Sequence, residues 1–261
     1  SWNRQDELTL TSTSSISSVQ GAAFIDSGAY NDFWFASGTQ VYHSFIAETA
    51  TTKPKAIAYS PSDAPGQSVA SLWVIVDGDP FDKIMRINTT DGALNTTFDT
   101  DGVADAPSGE IDAMVFVTEG TSNYLYMVAN DPGWDMWNKT KNLYKYSITS
   151  KSVESGYPKN LEDAQVWSEV GSMIYNGTDL ILGGKDGQNV WRIGTDGSFK
   201  AEGWPCCTMG WGGITGMAYH ETRDTLYGAV GSSLVGISTD VNYEMTFLSE
   251  DVLTIGGSQI T

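Results

Sequence analysis

Clusters of oxygen donors are the first places in this chain where chemistry could reside. Asp99-Thr100-Asp101-Gly102 runs on to Asp105 and Glu110, and the acids fall at offsets 1, 3, 7 and 12, as in a calcium-binding loop. Hard cations need several oxygens converging from a Gly-containing turn. Asp99, Asp101, Asp105 and Glu110 are therefore the expected metal ligands, with calcium the expected ion. Val103 occupies an offset where an oxygen is wanted, and no helical pattern flanks the segment, so a helix–loop–helix site is not implied. Asp77-Gly78-Asp79 with Asp82, and Asn130-Asp131 with Asp135, are further clusters. Turns select Asp and Asn without any metal, which is the competing reading.

Aromatic rings offer a second chemistry. Trp134, Trp137, Trp204 and Trp211 fall in segments without strand patterning, among acids. Such rings stack on the apolar face of a sugar or pack against a protein, and these four are the expected ligand-binding residues; packing between neighbouring sheets is the alternative. Trp34, Trp73 and Trp191 lie in strand-like runs and are expected in the core. Cys206 and Cys207 are adjacent. A relaxed disulfide spans Cα atoms ~4.4–6.8 Å apart, against ~3.8 Å for neighbours, so a vicinal bridge here would be strained. That bridge is the expected state, with two free thiols or bridges to neighbouring subunits also open. Asn88, Asn95, Asn138 and Asn176 each begin an Asn-X-Thr sequon and are the expected glycosylation sites, pointing to an extracellular or cell-surface location.

Enzyme constellations are scarce. His43 and His220 are the only histidines, which excludes a His-rich metal site. There is no Gly-X-Ser-X-Gly elbow, Cys-X-X-Cys pair, phosphate-binding loop or His-Glu-X-X-His helix. Paired-carboxylate chemistry needs only two acids brought together by the fold, and sequence cannot select them among 32. The same 32 acids face 14 Lys plus Arg, giving a formal charge of -18. A chain so charged repels phosphate backbones, which argues against a nucleic-acid partner. No apolar run approaches the roughly 18 residues of a membrane span.

These residues must be positioned by strands. Helical periodicity is absent, while short runs of Val, Ile, Thr, Tyr and Trp alternate with Gly, Ser and Thr, so the chain is all-β. One tetrapeptide pattern, small–aliphatic–aliphatic–aromatic, recurs five times: Gly21–Phe24, Ala56–Tyr59, Ala113–Phe116, Ser172–Tyr175 and Gly216–Tyr219. Each copy is followed by a second apolar run, beginning at Phe33, Leu72, Leu125, Leu180 and Leu226, and then by a third. Arg86, Lys145 and Arg192 interrupt three of these third runs at one register, as on a strand with a wetter face.

A three- to four-strand unit repeated at about 45 residues resembles a β-propeller blade. The resemblance implies one propeller domain over residues 1–261, with small residues on the crowded inner strand. Leu8–Thr11 and Val252–Ile255 alternate like outer strands. Six blades are expected, the sixth a thin one split across the termini, with five blades as the alternative and a β-sandwich as the competing fold. Insertions are expected at Ser60–Ala70 and Asn130–Lys141. Vicinal cysteine rings occur in some propellers, including quinone-cofactor dehydrogenases. Asp91–Val103 resembles a single delta-60 repeat of the kind arrayed in bacterial surface proteins.

The expected function is a non-catalytic extracellular ligand-binding or adhesion module, its binding face built from the long loops and the Trp204–Trp211 segment. Its partners would be carbohydrate or protein at a surface. The alternatives are a filament or sheath subunit that pairs its terminal strands with copies of itself, and a propeller hydrolase or quinone-dependent dehydrogenase.

Overall fold

In the computed structural model of the chain, the structure describes residues 6–9, 21–26, 31–37, 40–43, 47–49, 54–76, 83–88, 110–130, 141–185, 189–203, 213–220, 225–230, 233–239 and 245–247. All regular elements among them are strands. After β1 (Asp6–Thr9), the first sheet is β2 (Gly21–Asp26), β3 (Asn31–Ser37), β4 (Gln40–His43) and β5 (Ala47–Thr49), paired in that order. The second is β6 (Pro54–Ser60), β7 (Ser71–Val76) and β8 (Lys83–Asn88). The third holds β9 (Glu110–Glu119), β10 (Ser122–Asn130) and β11 (Lys141–Ser147), with β12 (Ser152–Val153) and β13 (Lys159–Asn160) both on the β11 edge. The fourth is β14 (Val170–Tyr175), β15 (Asp179–Gly184), β16 (Val190–Gly194) and β17 (Phe199–Gly203). The fifth contains β18 (Gly216–His220), β19 (Thr225–Val230) and β20 (Ser233–Thr239). Every pairing is antiparallel, from β1 on β20 to β7 on β8.

The recurrent tetrapeptides occupy equivalent places. Their aromatics pair across the first hairpin of each sheet, Phe24 with Phe33, Tyr59 with Leu72, Phe116 with Leu125, Tyr175 with Leu180 and Tyr219 with Leu226. The five first strands also neighbour one another in turn: β2 lies against β6, β6 against β9, β9 against β14, β14 against β18, and β18 against β2. Between sheets, a small residue faces a larger one. Ala56 and Ala58 share a core cluster with Met114, and Ala113 shares one with Met173. This is why the first position of the pattern stays small: a longer side chain would hold the adjacent sheet away.

Trp73 and Trp191 are fully buried, as their strand positions predict. Trp34 lies on β3, paired with His43. The three cations share one register on their third strands, Arg86 opposite Trp73, Lys145 opposite Tyr126 and Arg192 opposite Ile181. Each reaches an acceptor at the base of the first hairpin: the Ser71 hydroxyl at 2.9 Å, Glu119 Oε2 at 2.5 Å and Asp179 Oδ2 at 2.6 Å. The expected insertion after Ser60 is tied down rather than presented to solvent as a free loop. Gln67 Oε1 accepts from Ser60 Oγ and Arg86, and the Pro65 carbonyl accepts from Asn123 Nδ2 of the third sheet at 2.6 Å.

Among the described residues there are five sheets, and β1 joins the fifth. β1 pairs with β20 from Thr9 opposite Ser233 to Asp6 opposite Gly236. The short β21 (Met245–Phe247) takes the rest of the same edge, from Phe247 opposite Ile237 to Met245 opposite Thr239. The terminal strand expected on the filament reading to pair with a neighbouring chain thus pairs within its own. Val252–Ile255 lies outside the described residues.

Candidate functional site

Three first strands carry a bulge at the same place. In β6 the register shifts between Pro54 and Ala56, in β9 it shifts across Asp112, and in β14 between Val170 and Ser172. The extra residues are Lys55, Asp112 and Gly171, each immediately before its tetrapeptide. An extra residue in a ladder re-aims its side chain and frees it from strand alternation. At this level a small, partly open recess is lined by Ala56 and Ile57 of β6, Asp112, Ala113 and Met114 of β9, Gly171, Ser172 and Met173 of β14, and Thr215, Gly216 and Met217. Four consecutive first strands therefore supply matching positions to one recess, which is mostly small or apolar, with Asp112 its charged member.

Asp112 is embedded in a polar network. Its Oδ2 accepts from Lys185 Nζ at 2.7 Å and from Asn130 Nδ2 at 3.0 Å. Glu169 Oε2 stands 3.7 Å from the same ammonium, and both carboxylate side chains are 12% exposed. Two recessed carboxylates thus flank one cation, leaving the group a formal negative charge and a place for a substrate's positive or hydrogen-bond-donating group. Asn130, buried at the end of β10, fixes the arrangement. Its amide donates to the Val170 carbonyl at 2.9 Å as well as to Asp112, and its Oδ1 accepts from Val170 N at 3.1 Å. Lys185 is held through its own backbone, donating to the Glu169 carbonyl at 2.7 Å.

The floor of the site depends on close backbone approach. Ile214 N donates to the Gly184 carbonyl at 2.7 Å, and the Ser172 hydroxyl donates to the Ile214 carbonyl at 2.8 Å. A Cβ at Gly213 would stand 1.5 Å from the Lys185 carbonyl oxygen, so only glycine fits there.

At the far end of β9 lies a different polar group. Seven residues from Asp112, ~23 Å along an extended strand, Glu119 accepts from the Tyr126 hydroxyl at 2.6 Å and pairs with Lys145. The Lys145 ammonium also lies 4.1 Å from the Tyr124 ring centre and 5.5 Å from that of Tyr126. Burial, followed by the bond to Glu119, pushes the Tyr126 phenol far above its ordinary value, and burial raises Tyr157 as well. Tyr157 meets the Tyr126 ring edge-on at 6.3 Å and donates to the Thr195 carbonyl at 2.7 Å. Its groups satisfy one another, so this cluster joins the third sheet to the fourth.

Most residues singled out by sequence lie outside the described residues: Trp134, Trp137, Trp204, Trp211, Asp99, Asp101, Asp105, Cys206, Cys207, Asn95 and Asn138. Glu110 opens β9, opposite Asn130. Asn88 closes β8 opposite Ser71. Asn176 caps the β14–β15 turn, its Oδ1 accepting from the backbone of Thr178 and Asp179. Among the described residues no three His, Cys, Asp or Glu side chains are grouped to hold a metal. Sequence reasoning passed over Asp112, Glu169 and Lys185, and met Asn130 only as part of an acidic cluster. The residues just before the five tetrapeptides, Gln20, Lys55, Asp112, Gly171 and Thr215, share no type that would have singled out Asp112.

No family model matches the sequence, and no curated protein matches it. Among solved structures, the crystal structure of Myxococcus xanthus glutaminyl cyclase is similar, with a TM-score of 0.55 and 11% identity over 90% of this chain and 97% of that one. At this identity the likeness speaks for the fold. It corrects the expectation of a non-catalytic adhesion module. The similar structure is an enzyme, and in this chain Asp112 lines a recess on the inner strands and pairs with Lys185, which follows β15.

Proposed function

We propose that the chain is a five-bladed β-propeller, latched by β1, that works as an enzyme in the recess around Asp112 and Lys185. Five sheets, first strands that neighbour one another in a complete circuit, and a terminal strand seated on the last sheet support the architecture. The observation that carries the enzymatic reading is the 2.7 Å pair between Lys185 Nζ and Asp112 Oδ2, a carboxylate that lines a recess to which four inner strands contribute.

The substrate class we propose is a peptide with an N-terminal glutamine, by likeness to the glutaminyl cyclase. The neutral α-amine attacks the side-chain amide carbon, a carbon–nitrogen bond forms to close the ring, and the bond to the amide nitrogen breaks to release ammonia. Asp112 accepts the proton that the attacking amine gives up and returns it to the departing nitrogen. Lys185 donates a hydrogen bond to the amide oxygen as negative charge grows on it. Asn130 and Glu169 hold these two in position.

Incubation with a glutaminyl peptide is expected to release ammonia and leave a cyclic N-terminus. Asp112→Asn and Lys185→Met are each expected to lower the rate by about 10²-fold or more, with the folded state retained by circular dichroism. Ammonia release with an uncyclised glutamate product would instead identify amide hydrolysis. A wild-type protein silent on such peptides would remove the reading.

A further inference from the structure

Trp167 is 68% exposed, although its loop is well anchored. Leu161, Ala164 and Val166 are buried on one side of it and Val170 on the other. Val166 N donates to the Leu161 carbonyl at 3.1 Å, and Gln165 N to the Glu162 carbonyl at 3.0 Å. The indole is therefore held out by a fixed backbone. In the chain Trp167 stands two residues before Glu169, so their Cα atoms are within ~7 Å, and the Glu169 carboxylate is 3.7 Å from Lys185 Nζ. The same loop exposes Glu162 and Asp163, on a chain of net charge -18. An indole face attracts cations through its quadrupole, and exposed carboxylates in the same loop favour a cation over a neutral apolar group.

We propose that Trp167 is a specificity-determining residue that receives a cationic side chain of the substrate, next to the residue processed in the Asp112–Lys185 pocket. The peptide nature of the substrate rests on the reading above; the preference for a cation rests on Trp167, Glu162 and Asp163.

Two readouts test this. Wild-type protein is expected to process glutaminyl-lysyl-alanine amide with a kcat/KM roughly two- to five-fold above that for glutaminyl-alanyl-alanine amide. Trp167→Ala is expected to erase the difference while keeping the rate on the alanyl peptide. Separately, the Trp167 indole N–H resonance, identified by its loss in Trp167→Phe, is expected to shift with N-acetyl-lysinamide and not with N-acetyl-alaninamide. Equal wild-type rates on the two peptides, or an equal loss on both in Trp167→Ala, overturns the proposal. A complete lack of turnover with the selective shift intact removes the cyclase reading and keeps the subsite. A resonance that stays still with both amides removes the subsite, whatever the turnover.

Discussion

Tyr126 shows how one buried hydroxyl can set the alkaline limit of the molecule. Its ring is fully buried and its hydroxyl donates to Glu119, so ionisation in the folded state would place a second negative charge against a carboxylate. The folded-state pKa accordingly lies above that of the unfolded chain, which is near 10. Stability from this group is complete below about pH 10 and is lost as the pH rises beyond it, because the unfolded chain ionises first. Tyr126→Phe is expected to cost about 1–2 kcal/mol at neutral pH, a modest figure because Glu119 is partly solvated. The variant should lose stability less steeply than wild type between about pH 9 and pH 11, with the residual slope belonging partly to Tyr157. Urea unfolding at a series of pH values checks both the cost and the slope.

At the scale of elements, the contact between sheets is small against large. Met173 is 3% exposed in the cluster shared by Ala113, Leu180 and Trp191, so Met173→Ala is expected to cost about 2–5 kcal/mol, read as a lower urea midpoint at unchanged slope. This layer was legible in the sequence. A side chain packed against a core cluster leaves a mark in residue type: Tyr59, Phe116, Tyr175 and Tyr219 are each partly buried against one, and with Phe24 they hold the same ladder position in their sheets. The site was not legible in the same way. Asp112 acquires its direction from a bulge, and a single extra residue in a ladder has no signature in composition or period. Glu169 and Lys185 meet it only because β9, β14 and β15 are brought together, which no spacing along the chain encodes. Residues of the turns drew attention as ligands, whereas the charged group sits on strands and their immediate ends: Asp112 in β9, Asn130 closing β10, Glu169 before β14 and Lys185 after β15. The register of Arg86, Lys145 and Arg192 was visible in advance, but not that each would bind the hairpin base of its own sheet.

For the whole molecule, the fifth sheet is where segments far apart in the sequence meet. Asp6 and Phe247 stand opposite consecutive residues of β20, Gly236 and Ile237, and both short strands run in the same direction beside it. Together they amount to a single strand interrupted by a nick, so a continuous backbone could run from Phe247 straight into Asp6. A circular permutant that makes this junction, with new ends opened in the exposed Asn176–Thr178 turn, is expected to fold and to keep its urea midpoint close to that of the parent. Removing Asp6–Thr9 without such a seal should lower the midpoint and promote association between copies, seen as a concentration-dependent elution volume, because half of the β20 edge would be open to pairing. Two segments far apart in the sequence thus do the work of one strand, and their alignment makes the order of the sheets along the chain open to rearrangement.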